Sequence, residues 1–277
     1  MEIKAADVKS LRDKTGAGMM ECKKALIEAN GDASEAEKIL KEKGLAAVAK
    51  RAERATSEGR IFIRQNGNKI AVAEITCETD FVAKNADFIA LGEKVLDVAC
   101  DKGYTKIEKE LEDLVLELAT KIRENMALRK FEVVDVPAGA SAATYVHSDF
   151  KTAAVVVVEG SDAEAVKVFA KDCCLHLAAF TPSYIEQKDV PQAYIDEQKE
   201  IFAAQMAQDE KMASKPDNVK AGILQGKINK HLAEICFVDQ MFVKDDKVSV
   251  AKKLEQVSKE AGAKLSFGKI CLFVLGK

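Results

Sequence analysis

The sequence is short of most features that would point to a chemical reaction. It has no G-x-x-x-x-G-K-[ST] run, which removes a P-loop, and no G-x-S-x-G elbow, which removes a large class of hydrolases. Its three histidines leave few candidates for a general base. The seven cysteines are odd in number, scattered and free of C-x-x-C spacing, which argues against a disulfide framework and for reduced thiols in the cytosol. The longest aliphatic run, AAVVVV at 153–158, is far shorter than the ~20 residues that span a bilayer. The opening MEIKAADVKS lacks the apolar stretch of a secretory signal. Neither sign of charge dominates, since the net is −3, so the Lys/Arg excess of a dedicated nucleic-acid binder is missing. Aromatic residues make up only 6%.

What is present is a globular composition. Hydrophobic residues reach 48% over 277 positions, enough for two domains or for one domain with appendages. The expectation is a soluble cytosolic protein. Val8 and Leu11, then Cys22, Ala25 and Leu26, then Ala36, Ile39 and Leu40 fit the inner faces of three short helices over 1–45. Gly16 and Gly18 punctuate the first turn, Asp32 and Glu35 form a capping box, and Gly44 is placed to end the third helix. The following 46–59 reads as a helical, basic linker. Over 41–64 the net charge is +4, which would suit RNA or an acidic surface, although a solvated helix face is the preferred reading.

The period then changes. RIFIRQ and KIAVAEITC read as a hairpin around Asn66-Gly67, followed by helices carrying Phe88, Leu91, Val95 and Val98, then Ile107, Leu111, Leu114, Leu118 and Ile122. ALRKFEVVDV is a third strand, closing a subdomain over 60–139. Strand, strand, helix, helix, strand recurs over 140–277, with a helical insertion at 187–235 that begins near Pro191, placed for a first helical position, and breaks at Lys215-Pro216. The fold class is therefore α+β, with duplication of the two subdomains as a hypothesis. Cys173 and His176 share one face of a predicted helix and could approach a metal together, but a packed face with a satisfied histidine is the preferred reading. Between strand and helix lies ITCETDFVAKNADF at 75–88. Its Phe81 either folds into the core or is offered to a partner, and periodicity leaves both open.

A resemblance sharpens this. TGAGMMECKKAL at 15–26 with NGD at 30–32, and CETDFVAKN at 77–85, resemble the two signature segments of the bacterial elongation factor Ts family. KIRENMALRKFE at 121–132, Tyr145-Val146-His147, HLAAFTPSYI at 176–185 and GKINKHLAEICFVDQMFVKDD at 226–246 follow in the family's order. The resemblance implies a ubiquitin-associated-like three-helix N-terminal domain, two similar core subdomains and a helical dimerisation hairpin. It implies nucleotide exchange on the GTPase elongation factor Tu, with no cofactor, metal, catalytic residue or direct nucleic-acid contact required. A homodimer through the insertion or the core is possible within it. By the same resemblance, Arg12, Met19, Met20 and Lys23 contact the GTPase, although one methionine of the pair is expected to fill the small core. Asp80 and Phe81, flanked by Thr79 and Val82, intrude near the nucleotide and magnesium site. Met126 and His147 add contacts, and Phe242 and Val243 form or support a C-terminal contact. The FTPSYI segment and Cys173-Cys174 depart from the family pattern away from these motifs, and a longer C-terminal tail, where the family has one, is expected to be missing or short here, which leaves a tail contact open. An RNA-binding protein using 41–64 is the alternative.

Overall fold

Amphipathic spacing accounts for the first three helices, with a left-handed Gly16 ending the first and a side-chain N-cap starting the third. The computed structural model describes residues 3–213 and 215–277. Helices α1 (Ala5–Thr15), α2 (Met19–Glu28) and α3 (Ala33–Ala49) bury Val8, Leu11, Cys22, Ala25, Leu26 and Ala36 against one another. Asp32 caps α3 by accepting from the Ser34 and Glu35 N–H groups at 2.8 and 2.9 Å. The third helix does not stop at Gly44 but runs on to Ala49, and Gly44 serves a different purpose. A Cβ there would lie 2.3 Å from Thr120 Cγ2, so its lack of a side chain lets α3 approach α6 (Lys109–Ile122). The linker after Ala49 is correspondingly less helical than its composition suggests: turns and bends lead from Lys50 into the first strand.

That strand, β1 (Glu58–Asn66), pairs antiparallel with β2 (Lys69–Cys77) through a two-residue turn in which Gly67 takes φ 59. Strand β3 (Met126–Asp135) joins the other edge of β2, giving the order β1-β2-β3. As the middle strand, β2 is buried along nearly its whole length. A one-turn helix α4 (Asp80–Ala83) and the long α5 (Ala86–Lys102) follow β2, and α5 and α6 cover the sheet with Phe88, Leu91, Val95, Leu96, Leu111 and Val115. Two polar side chains of β2, Glu74 and Thr76, are sealed inside. Glu74 of β2 is fully buried, with Oε1 accepting from Arg129 at 2.8 Å and from the Gly276 N–H at 3.0 Å. Arg129 also donates to the Lys277 carbonyl at 2.6 Å. These residues belong to one compact unit made of Met1–Asp135, Ser148–Thr152 and Phe273–Lys277.

The other unit comprises Val136–His147 and Ala153–Leu272. Strands β4 (Ser141–Val146) and β5 (Thr152–Glu159) form an antiparallel pair, and β5 lies between β4 and the distant β8 (Ser266–Val274). Helices α7 (Glu164–Phe180) and α11 (Val250–Ala261) supply Phe169, Cys173, Leu177, Val250 and Val257 to the core beneath Val156 and Val158. The element order of the first unit thus recurs, with the second strand again in the middle. The insertion forms α8 (Gln192–Ala207), a short α9 (Glu210–Ala213) and α10 (Asp217–Ile235), and its own small core centres on Val190, Ile228 and Leu232. Pro191 caps α8 rather than occupying its first turn. A short hairpin, β6 (Met241–Phe242) with β7 (Asp245–Ser249), was not foreseen from the sequence. Among the described residues no helix is long and apolar enough to cross a membrane.

Candidate partner-binding site

The stretch after β2 turns outward because its polar residues cap a helix too short to bury both of its apolar side chains. Thr79 takes extended backbone angles and its hydroxyl accepts from the Val82 N–H at 3.4 Å, which starts α4. Successive helical residues point ~100° apart, so Phe81 and Val82 cannot share a face. Val82 and Ala83 enter the core, and Phe81 stands 83% exposed. Asp80 beside it pairs with Lys84 at 2.6 Å, and that hydrogen bond holds its carboxyl below the usual carboxylate range. At the root of the turn the Cys77 thiol donates to the Thr79 carbonyl at 3.2 Å; burial, reinforced by the charge of Glu124, pushes its pKa up to about 12.

The turn is fastened from outside by Glu124 and Asn125, two residues that follow α6. Glu124 Oε2 accepts from the Glu78 and Thr79 N–H groups, both at 3.1 Å, and Oε1 accepts from the Thr79 hydroxyl at 2.7 Å. The Asn125 N–H donates to Glu78 Oε1 at 2.6 Å, while its side-chain amide donates to the Ala52 and Arg54 carbonyls at 3.2 and 2.7 Å. Arg123, in the left-handed region at φ 68, ion-pairs with Glu21 at the start of α2. Glu21 in turn accepts from the Gly18 N–H at 3.0 Å.

Helix α2 carries a second exposed apolar surface. Met19, Lys23, Ile27 and Met20 lie within a stripe about 100° wide by helical geometry, beside the buried Cys22, Ala25 and Leu26. Met20 is 65% and Ile27 55% exposed, and Met19 is exposed as well, so neither methionine fills the core as expected of one of them. Arg12 on α1 is also exposed.

In the other unit His147 is exposed, with Tyr145 packed edge-on 6.4 Å away. In β6 Met241 points outward and Phe242 inward, and Val243, in the turn that follows, is exposed. The ring of Phe242 stacks 6.2 Å from that of His176, whose Nε2 lies 2.9 Å from Gln240 Oε1 and whose Nδ1 accepts from the Val243 N–H at 3.2 Å. Burial lowers the His176 pKa. Both ring nitrogens are therefore engaged, and among the described residues no group of three or more His, Cys, Asp or Glu side chains could hold a metal.

Three expected contact residues thus turn inward. Val82, Met126 and Phe242 are buried core side chains that support the surface rather than form it, because each is the inward member of a helical or strand alternation. Thr79, half-buried, acts as a cap. Glu78, Glu124, Asn125, Ile27 and Met241 were not anticipated. The clue to Glu124 and Asn125 was their place in the RENM segment beside a strand end that leaves N–H groups without partners. Part of the basic stretch is engaged within the protein: Lys43 pairs with Glu28, Arg54 with Glu78 at 3.4 Å, Arg64 with Glu93 at 2.5 Å, and the Arg60 guanidinium lies 3.8 Å over the Phe150 ring.

The family model described as elongation factor TS matches residues 78–276. A protein of Treponema denticola called elongation factor Ts is 57% identical, with the match covering 100% of this chain and 99% of the relative. The elongation factor Ts of Treponema pallidum is 50% identical over 100% and 99%, and that of Clostridium acetobutylicum 37% identical over 99% and 93%. Together the family match and these near full-length relatives establish that the chain belongs to the elongation factor Ts family.

Proposed function

We propose that this protein is a guanine-nucleotide exchange factor for the GTPase elongation factor Tu, and that Phe81 is the side chain it inserts to loosen bound GDP. The observation that carries the reading is a phenylalanine 83% exposed on a one-turn helix whose other apolar residues are locked in the core. Such a side chain has no stabilising role in the free protein and a large one against an apolar cleft.

The mechanism is differential binding. A GTPase of the P-loop class holds nucleotide through backbone donors around the phosphates, a lysine and Mg²⁺. A factor that binds the nucleotide-free form better than the GDP form weakens GDP by the same factor by which GDP weakens it. Burying one phenylalanine is worth ~1.5–3 kcal/mol, against ~1–3 kcal/mol for a common coupling between sites. Phe81 therefore supplies a substantial part of the effect. Asp80 is proposed to disturb the partner's magnesium region, and its exposed, salt-screened tie to Lys84 is easily exchanged for another cation. The Met19, Met20, Lys23 and Ile27 stripe, with Arg12, provides adaptable docking area. On the other unit, taken by itself, His147, Val243 and Met241 are proposed as further partner contacts.

The test is release of labelled GDP from elongation factor Tu with and without this protein, and with its Phe81→Ala variant. Faster release by the native chain and a large loss in the variant are expected. Equal release with and without the native chain would overturn the reading.

A further inference from the structure

We infer that Glu124 is a positioning residue for nucleotide exchange, fixing the direction in which Phe81 is presented. The inference deepens the reading above and rests on it. A helix of four residues has no stability of its own, because nucleation costs more than one turn of hydrogen bonds returns. The orientation of α4 must therefore come from what grips its ends. On the inner side the grip is Val82 and Ala83 in the core. On the outer side the main grip is the Glu124 carboxylate, which accepts two consecutive backbone N–H groups and the Thr79 hydroxyl proton.

The hydroxyl has a single proton. Once Glu124 takes it at 2.7 Å, the lone pairs of Thr79 are left facing the Val82 N–H, so the same carboxylate orients the cap that starts the helix. Hydrogen bonds to an ionised acceptor are about twice as strong as neutral ones, so the three bonds to Glu124 form the principal outer fastening of the turn, beside the single Asn125 N–H bond to the Glu78 side chain. Glu124 is itself held between two anchored neighbours: Arg123, tied to Glu21 at the start of α2, and Asn125, tied to Glu78 and to the carbonyls of Ala52 and Arg54. Three consecutive residues thereby set both apolar surfaces of this unit, the α2 stripe and the Phe81 tip. For groups that must meet in register, a displacement on the order of 1 Å can cost about 100-fold in rate.

The experiment compares the native chain with Glu124→Ala, Phe81→Ala and the double variant. It follows release of labelled GDP from elongation factor Tu over a range of factor concentrations, with thermal melting of each variant. Glu124→Ala should lower the maximal release rate by roughly 10- to 100-fold while moving the half-saturating concentration much less, because the α2 stripe is untouched. In the Phe81→Ala background the same change should cost little more, since residues acting as one unit are not additive. Glu124→Gln, which keeps an acceptor, should recover part of the rate. Independently of any partner, amide exchange at 79–83 should quicken in Glu124→Ala while the amides of β2 stay protected. An unchanged release rate or unchanged amide exchange in a folded Glu124→Ala protein would overturn the inference, as would a fully additive double variant. If Glu124→Ala does not fold, Thr79→Val removes the same hydroxyl contact and should show a smaller loss of the same kind, and native-like release and amide exchange in it would overturn the inference. A native chain that fails to accelerate release would overturn the functional reading instead, while the amide measurement would still decide whether Glu124 orders the turn.

Discussion

Phe81 and Val82 are chain neighbours whose truncation should have opposite consequences, and the size of each follows from burial. Phe81 is 83% exposed, so Phe81→Ala removes almost no buried surface and should stay within about 0.5 kcal/mol of the native stability. Val82 is 8% exposed within the sheet-and-helix core, so Val82→Ala loses two methyl groups at ~0.8 kcal/mol each, with a further penalty for the cavity. A loss of about 2 kcal/mol corresponds to a melting temperature lowered by roughly 4–8 °C for a unit of this size. In exchange the order reverses. Losing ~1.5–3 kcal/mol of phenylalanine burial in the complex should slow stimulated GDP release by about 10- to 150-fold. Val82→Ala, assayed well below its melting temperature, should stay within a few-fold of the native rate. Melting curves and labelled-GDP release on the same three preparations decide the matter. A Phe81→Ala protein that melts as early as Val82→Ala, or that exchanges at the native rate while folded, would refute the reasoning.

The buried Glu74 gives a second contrast. Arg129→Met leaves its carboxylate without a cation and should cost about 3–5 kcal/mol, whereas Glu74→Met with Arg129→Met should recover most of that loss, as read from urea midpoints. Equal midpoints for the single and double variants would show that the charge is compensated elsewhere. His176, buried among Phe180, Phe237 and Phe242, has a pKa below its ordinary 6.5. The unfolded chain therefore binds the proton first, and this residue's contribution to stability is intact above pH 6.5 and lost as pH falls through the lower folded value. A ring that titrates at or above 6.5 by NMR would contradict this. Burial also raises the thiols of Cys77 and Cys174 to about 12, while Cys100 is only half-buried. Thiol reagents should label Cys100 first in the native protein, and rapid labelling of Cys77 would indicate that the CETDF turn opens readily.

Long periodic elements were legible in the sequence and short ones were not. The Asn66-Gly67 pair announced the first hairpin, and the i, i+3, i+4 spacing of Phe88, Leu91 and Val95 announced α5, because each signal repeats over enough residues to outweigh chance. Helix α4 spans four residues and has no period to read, so the split between Phe81 and Val82 could not be seen even though both lay in a recognisable segment. Gly44 looked like a helix stop because glycine usually is one; only the presence of Thr120 on a distant helix reveals it as a point of close approach. Glu124 escaped for the same reason, since its partners at Glu78 and Thr79 lie more than forty residues away in sequence. Contacts of that kind belong to tertiary structure, which a linear pattern does not contain.

The tie between Glu74 and the segment at 273–277 also has a consequence in time. During synthesis, Glu74 and Arg129 leave the ribosome more than a hundred residues before Gly276 and Lys277 exist to meet them. At elongation rates of ~5–20 residues per second that interval is on the order of ten seconds. For that period the first-made sheet carries a buried acid with an incomplete set of donors and an arginine whose backbone acceptor has not yet been made. The early-made unit is thus finished by residues made after nearly all of the intervening chain.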